Sequence, residues 1–267
     1  MGISVVKATG ETEPFSEDKL RVSIQRAGIK RSLQEETLKH VKEKLYPNIP
    51  TSEIYKHITE YLGANDSYKG ARYSLKQSIM DLGPTGYPFE DFVSEILKKE
   101  GYATQVRSIL TGKCVSHEVD VIAQKDNKRI MIEAKFHNQS GTRTDVQVSL
   151  YTHSRFEDIK DKYNLNEAWL VTNTKVTADA LSYALCSGMG IVSWSYPKEG
   201  SLRELVEKYN LHPITILTTL SKNQKQQLLE NHIVLCKDLT GDVLDLLIDL
   251  SLERKKQVLE QAKSLSS

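Results

Sequence analysis

The stretch HEVDVIAQKDNKRIMIEAKF, residues 117–136, decides how the middle of this chain is read. Two apolar runs flank the polar KDNK, a hairpin pattern. With Asp126 and Asn127 as a two-residue turn, Lys125 pairs with Lys128 and the pairing continues outward. Asp120 then faces Glu133, and Glu118 faces Lys135. Side chains alternate along a strand. Val119, Val121, Ala123, Ile130, Ile132 and Ala134 therefore share one apolar face, which sets the register. The other face sets two carboxylates across from each other, which destabilises a hairpin unless a cation compensates. A hard divalent ion such as Mg²⁺ (or Mn²⁺) takes one or two carboxylates and keeps several waters. Lys135, two residues from Glu133 on that face, is placed to hold a water or to neutralise charge on a phosphate. Two acids, a lysine and a divalent ion suit phosphodiester hydrolysis. The alternative, for these residues alone, is a Glu118–Lys135 ion pair beside two solvated acids.

The bulk composition narrows the class. The 267 residues carry 36 basic and 35 acidic side chains, a formal charge of +1. That excludes a polybasic nucleic-acid coat and is compatible with a local basic groove. Cys114, Cys186 and Cys236 are far apart and odd in number, which indicates neither a zinc knuckle nor a disulfide framework. Reduced thiols and a cytoplasmic location are expected. No apolar run approaches the roughly 18 residues of a membrane span, and the polar start does not read as a signal peptide.

Three domains are expected, at 1–84, 85–210 and 211–267. In the first, ISVVKATGETEPF reads as a hairpin turning near Gly10. SEDKLRVSIQRAG reads as a helix capped by Ser16 and stopped by Gly28, and Ser32 with Glu35 reads as a capping box. GPTGYP, residues 83–88, is the boundary. FEDFVSEILKKEGY is amphipathic, with Phe89, Phe92, Val93, Ile96 and Leu97 on one face and Gly101 at its end. After the hairpin, EAWLVTN, TADALSYALCSGM and GIVSWSY read as strand, helix and strand. That is a parallel crossover, so the sheet is mixed. The last domain reads as helical.

This order of elements resembles the PD-(D/E)xK nucleases, and within them the Mrr-type restriction endonuclease domain. YPFEDFVSEILKKEGY looks like the family's first helix, HEVDVIA and IMIEAKF like its two active-site strands, and WLVTNTKVTADALSYALCSGMGIVSW like its trailing strand–helix–strand. The resemblance covers roughly residues 86–197. It implies Glu90, Asp120 and Glu133 as metal ligands and Lys135 as the catalytic lysine. Gln147, on the next helix, would stand near the site, and QVSLY is similar to the Gln-x-x-x-Tyr arrangement of the RecB-like branch, which would add Tyr151. Val119 stands where the family name has proline.

The front of the chain, VVKATGETEPFSEDKL, resembles an ATP-cone, a nucleotide-sensing module, and TSEIYKHI and KGARYSLKQ resemble its later helices. The likeness implies that ATP or dATP binds as an effector at Val5, Lys7, Glu13, Ser16, Lys19, Leu20 and Thr51. Lys7 and Lys19 would face phosphates. The chain departs from the pattern at Ala8, where an arginine is usual, at Tyr55, where a histidine is frequent, and at Lys76 and Met80. No Walker-type glycine loop is present, so ATP hydrolysis is not indicated.

In the third domain, LTTLSKNQKQQLLENHIVLCKDLTG loosely resembles a helix-hairpin-helix, with ENHI where that motif has glycines. A packing or dimerisation role is expected there. The leading expectation is an α/β, Mg²⁺-dependent endonuclease acting on double-stranded DNA, regulated by an adenine nucleotide and assembled as a homo-oligomer, with no membrane partner. The alternatives are a nucleotide-responsive DNA-binding protein with an inactive nuclease fold, and an oligomerising structural partner.

Overall fold

The computed structural model describes residues 3–7, 10–27, 29–65, 67–139, 141–247 and 249–266. The expected stop at Gly28 and the departure at Ala8 lie outside the described residues. The chain divides into two compact units, Met1–Gln77 and Ser78–Ser267.

The first unit holds β1 (Ser4–Val6), β2 (Thr12–Pro14), α1 (Glu17–Arg26), α2 (Arg31–Glu43), β3 (Ile49–Pro50), α3 (Thr51–Asn65) and the start of α4 (Ser67–Met80). β1 pairs antiparallel with β2, as the hairpin reading expects, and parallel with β3. Ser16 caps α1 by accepting from the Lys19 N–H at 3.3 Å. The capping box expected at Ser32 is not formed. α2 begins at Arg31, with Lys30 at its cap and no side-chain cap bond. Glu35 instead pairs with Arg21 of α1. Val5 and Leu20 join Ile24, Leu38, Ile49 and Ile58 in the core. Each such side chain contributes about 1.5–3 kcal/mol by leaving water.

The second unit opens with α5 (Tyr87–Lys99). Pro88 falls in its first turn, where the N–H it lacks has no helical partner. The predicted apolar face of α5 is buried throughout. Next come β4 (Ala103–Thr111), β5 (Ser116–Lys125), β6 (Lys128–Lys135), β7 (Arg143–Thr144), α6 (Val146–Tyr163), β8 (Glu167–Thr172), β9 (Lys175–Val176), α7 (Ala178–Cys186) and β10 (Gly190–Val192). The main sheet runs β10-β8-β6-β5-β4. β4, β5 and β6 form an antiparallel meander, and β6, β8 and β10 are parallel. The sheet is mixed, as expected. β4 is an edge strand that the sequence reading does not contain. α6 packs Phe156 and Ile159 on Leu110, Ile122 and Met131.

Asp158 of α6 ties down the β4–β5 turn. It accepts from the Cys114 and Val115 N–H groups at 2.9 and 3.3 Å and meets His117 Nε2 at 2.8 Å. Those donors hold its carboxyl well below the usual range, His117 most of all.

The rest is helical, with α8 (Leu202–Lys208), α9 (Lys222–Glu230), α10 (Gly241–Leu244), α11 (Leu252–Ser266) and two short 3-10 turns at Ile214–Ile216 and Cys236–Asp238. The turns are clasped reciprocally. The Ile214 N–H donates to Val234 O and the Cys236 N–H to His212 O.

Candidate active site

The β5–β6 hairpin turns at Asp126–Asn127, and its register runs from Lys125↔Lys128 to Val121↔Ile132, as read from the sequence. There the ladder ends. Beyond it β5 pairs with β4 as far as Ser116, and β6 pairs with β8 as far as Lys135. The two strands part at the acid pair. The expected Glu118–Lys135 pairing is not formed.

A second departure accompanies the first. Thr104 and Ala123 are register partners, and Thr104 bonds Ser94 of α5, so this level faces α5. Leu110 and His117 are also partners, six residues along each strand, and they meet α6. Strict alternation would keep both levels on one face. The faces exchange near Arg107, which has φ 51° and falls, like Asp120, in the gap between the pairs Val106↔Val121 and Ser108↔Val119. A left-handed residue other than glycine costs about 1–2 kcal/mol. Here it rotates both strands at the site. Val119 consequently joins Ile122 in the cluster under α6, parting from Val121. The six residues expected on one apolar face are all buried, but not all on the same side.

Three acids occupy the opening. Asp120 Oδ2 accepts from the Ala134 N–H at 2.7 Å, a bond the parted strands make possible. Glu133 is buried, and it accepts from the Tyr151 hydroxyl at 3.0 Å on Oε1 and from Arg155 Nη1 at 2.8 Å on Oε2. Glu90, in the first turn of α5, is buried and accepts from Arg107 Nη1 at 3.3 Å, while Arg107 Nη2 donates to Asp91 at 2.7 Å. Burial raises Glu90's pKa above the ordinary value against the pull of Arg107, helped by Asp91 and Glu118. Asp120 is pushed up to about 7 by burial first, then by the charge of Glu133, with Glu90 adding to it. Burial and Glu133's charge also raise the Tyr151 hydroxyl, so it stays a donor.

This imbalance of negative charge, in an all-oxygen donor set, suits a hard divalent cation. Among the described residues, no three acid, histidine or cysteine side chains converge as a ready cage. Mg²⁺ needs only one or two carboxylates and fills the rest with water. Asp120 and Glu133 are the pair that could hold it.

Lys135 is half-buried at the end of β6, where its backbone pairs with Thr172, and its ammonium makes no ion pair or hydrogen bond among the described residues. The chain leaving it is pinned: the His137 N–H donates to Asn173 Oδ1 at 2.9 Å and Asn173 Nδ2 to His137 O at 2.7 Å. Gln147 is exposed in the first turn of α6, one turn before Tyr151, with no side-chain contact to the acids. Arg107 and Arg155 escaped the sequence reading. Arg155 had a usable signal, because Gln147, Tyr151 and Arg155 stand four residues apart and form one stripe of α6. Arg107 had none. The expected glycine position, ENHI, is a packing point: His232 Nδ1 meets Asp91 Oδ2 at 2.9 Å.

In the first unit, Lys7 and Lys19 converge on one carboxylate, Glu13, at 3.1 and 3.0 Å, and Lys7 also meets Glu11 at 3.3 Å. The two lysines hold the Glu13 carboxyl below its ordinary value, Lys19 first. Thr51 opens α3 and is half-buried. Tyr55 stacks on Tyr73 at 5.2 Å.

Comparison with known proteins gives the class. Residues 3–77 match the ATP cone domain and residues 84–196 the restriction endonuclease family, so the chain joins an ATP cone to a domain of the restriction endonuclease type. Residues 212–266 match the AF1548-like, C-terminal family. An uncharacterized protein of Archaeoglobus fulgidus is 35% identical over 175 residues, which cover 65% of this chain and 99% of that protein. A solved structure, the protein of unknown function AF1548, is similar at a TM-score of 0.59 and 33% identity, covering 68% of this chain and 98% of that one. The chain belongs to this AF1548-like family. No described helix is long and apolar enough to cross a membrane.

Proposed function

We propose that this chain is a metal-dependent endodeoxyribonuclease that hydrolyses phosphodiester bonds in double-stranded DNA, and that ATP or dATP bound to its N-terminal unit regulates it. The observation that carries the reading is the parting of β5 and β6 at Asp120 and Glu133, with the Lys135 ammonium free of ion pairs among the described residues. A bound divalent ion would supply a polarising charge and an activated water. Asp120 and Glu133 would hold it, and Glu90 would add negative charge from α5. Lys135 stabilises charge developing on the phosphate or orients the attacking water. Tyr151 keeps Glu133 in place through its hydroxyl, and Gln147 stands one turn away as a polar contact for water or substrate. In the first unit, Lys7 and Lys19 take the phosphates of the nucleotide, with Val5, Glu13, Ser16, Leu20 and Thr51 around them. Coupling requires that the nucleotide prefer one assembly of the homo-oligomer over another.

The test is plasmid cleavage with Mg²⁺ or Mn²⁺, with a chelator, and with ATP or dATP added. Chelator-sensitive nicking or linearisation that changes with nucleotide is the expected result. Intact plasmid under every condition would leave a DNA-binding protein with an inactive nuclease fold.

A further inference from the structure

Glu133 already has a donor on each oxygen, and the two donors differ in kind. Tyr151 brings a neutral hydroxyl to Oε1. Arg155, one turn further along α6, brings a full positive charge to Oε2 at 2.8 Å. A phenol can keep its bond while the same carboxylate ligates a cation. A guanidinium cannot do so without like-charge repulsion. Asp120 Oδ2, for its part, is held by a backbone N–H that has no charge to clash. Arg155 is therefore the one charged group among these donors that competes with a cation for Glu133.

Its surroundings suit displacement. The side chain is 34% exposed, against 10% for that of Glu133, so Arg155 can meet solvent where Glu133 cannot. It also lies over the Tyr151 ring, 5.0 Å from the centroid, a resting place that survives loss of the ion pair. Its charge already acts on Asp120, whose carboxyl it pulls down against the stronger upward effects of burial and Glu133.

We propose that Arg155 is a built-in counter-ion: it holds Glu133 when no metal is bound, and a divalent cation binds by displacing it from the carboxylate while it keeps its contact with the Tyr151 ring. The inference rests on the metal-site reading above. It makes Arg155 a positioning residue that raises the stability of the empty site and lowers its affinity for metal.

The experiment uses the full chain and Mn²⁺ as probe, with calorimetry for affinity and circular dichroism melts with and without the ion. Arg155→Gln should bind Mn²⁺ about tenfold more tightly than wild type, the size of one charge-assisted contact removed from the competing state. Its melting temperature should fall without metal and match wild type at saturating Mn²⁺. Arg155→Lys, which keeps the charge but loses the fork, should fall between. Lys135→Gln removes an equal charge beside the site without touching Glu133, so its gain should be smaller. Equal gains in Arg155→Gln and Lys135→Gln would reduce Arg155 to a general field effect and overturn the proposal. Unchanged or weaker Mn²⁺ binding by Arg155→Gln would overturn it too. If neither wild type nor Arg155→Gln binds Mn²⁺, the metal-site reading fails, and the inference with it.

Discussion

Each unit gathers lysine or arginine around carboxylates, and the two clusters are built on opposite terms. In the first unit, Lys7, Lys19, Glu11 and Glu13 balance one another, and Lys19 is 69% exposed. Ion pairs in such a setting are weak and exchange readily with solvent. An anionic ligand can take over the lysines at small expense. In the second unit, Glu90, Asp120 and Glu133 outnumber the arginines that reach them, and burial magnifies the imbalance. A surface cluster is open to exchange, whereas a buried and unbalanced one demands an ion. On the proposed reading, this difference assigns regulation to one unit and reaction to the other, and the contrast can be broken at several points.

The largest effect is expected at the acids. Asp120→Ala or Glu133→Ala should lower Mg²⁺-dependent cleavage by about a thousandfold or more, since each removes a proposed ligand for the catalytic ion. The circular dichroism spectrum should not change. Cleavage at the wild-type rate by either variant would refute the site. Lys135→Ala should slow cleavage by about a hundredfold while DNA binding holds, because a positioned cation acts mainly in the transition state. Gel-shift and single-turnover assays separate the two, and lost binding with an unchanged rate would make Lys135 a phosphate anchor.

The imbalance also has a pH signature. Asp120 is pushed up to about 7 from its ordinary 3.8, so folding disfavours its charged form. Its cost is absent below the ordinary value and complete once the pH has risen through about 7. Relative to Asp120→Asn, metal-free wild type should therefore lose about 5 °C in Tm between about pH 4.5 and about pH 7.5. Parallel melting curves would show that the acids are not in excess. In the balanced cluster, Lys7→Ala or Lys19→Ala should weaken ATP binding about tenfold by calorimetry on the full chain. No loss in either would reduce the first unit to a cap without a phosphate site. The smallest effect belongs to Gln147→Ala, expected to slow cleavage by about threefold as an uncharged contact. A rate matching that of the remote Gln226→Ala would remove Gln147 from the site.

Much of this was legible in the residues. Asp126–Asn127 set the hairpin register, and the apolar stripe of α5 set its buried face, because both depend on local periodicity. The exchange of faces was hidden. It depends on a positive φ at Arg107, a residue type that gives no warning of it. β4 was missed because its alternation is weak: as an edge strand it leaves Ile109 76% exposed. Ser32 misled for a different reason. The motif was present, but the helix begins one residue before it. Arg155 was invisible to a search for acids and lysines, although its spacing from Tyr151 placed it on the same stripe.

The knot at Asp158 bears on which sequences this fold can accept. A side chain at Gly112 would drive its Cβ into the Asp158 carboxylate and to within 2.8 Å of the Val115 carbonyl. Asp158 sits less than one turn beyond Arg155 on α6, so a residue that pushes its carboxylate away loosens the tie between the β4–β5 turn and the helix carrying Tyr151 and Arg155. Position 112 thus disfavours any residue with a Cβ, for a reason seated partly in another element. In a saturation library selected for cleavage, alanine at 112 should be depleted as strongly as a change to Tyr151, while the neighbouring Lys113, whose exposed ammonium pairs with exposed Asp161, should accept most replacements.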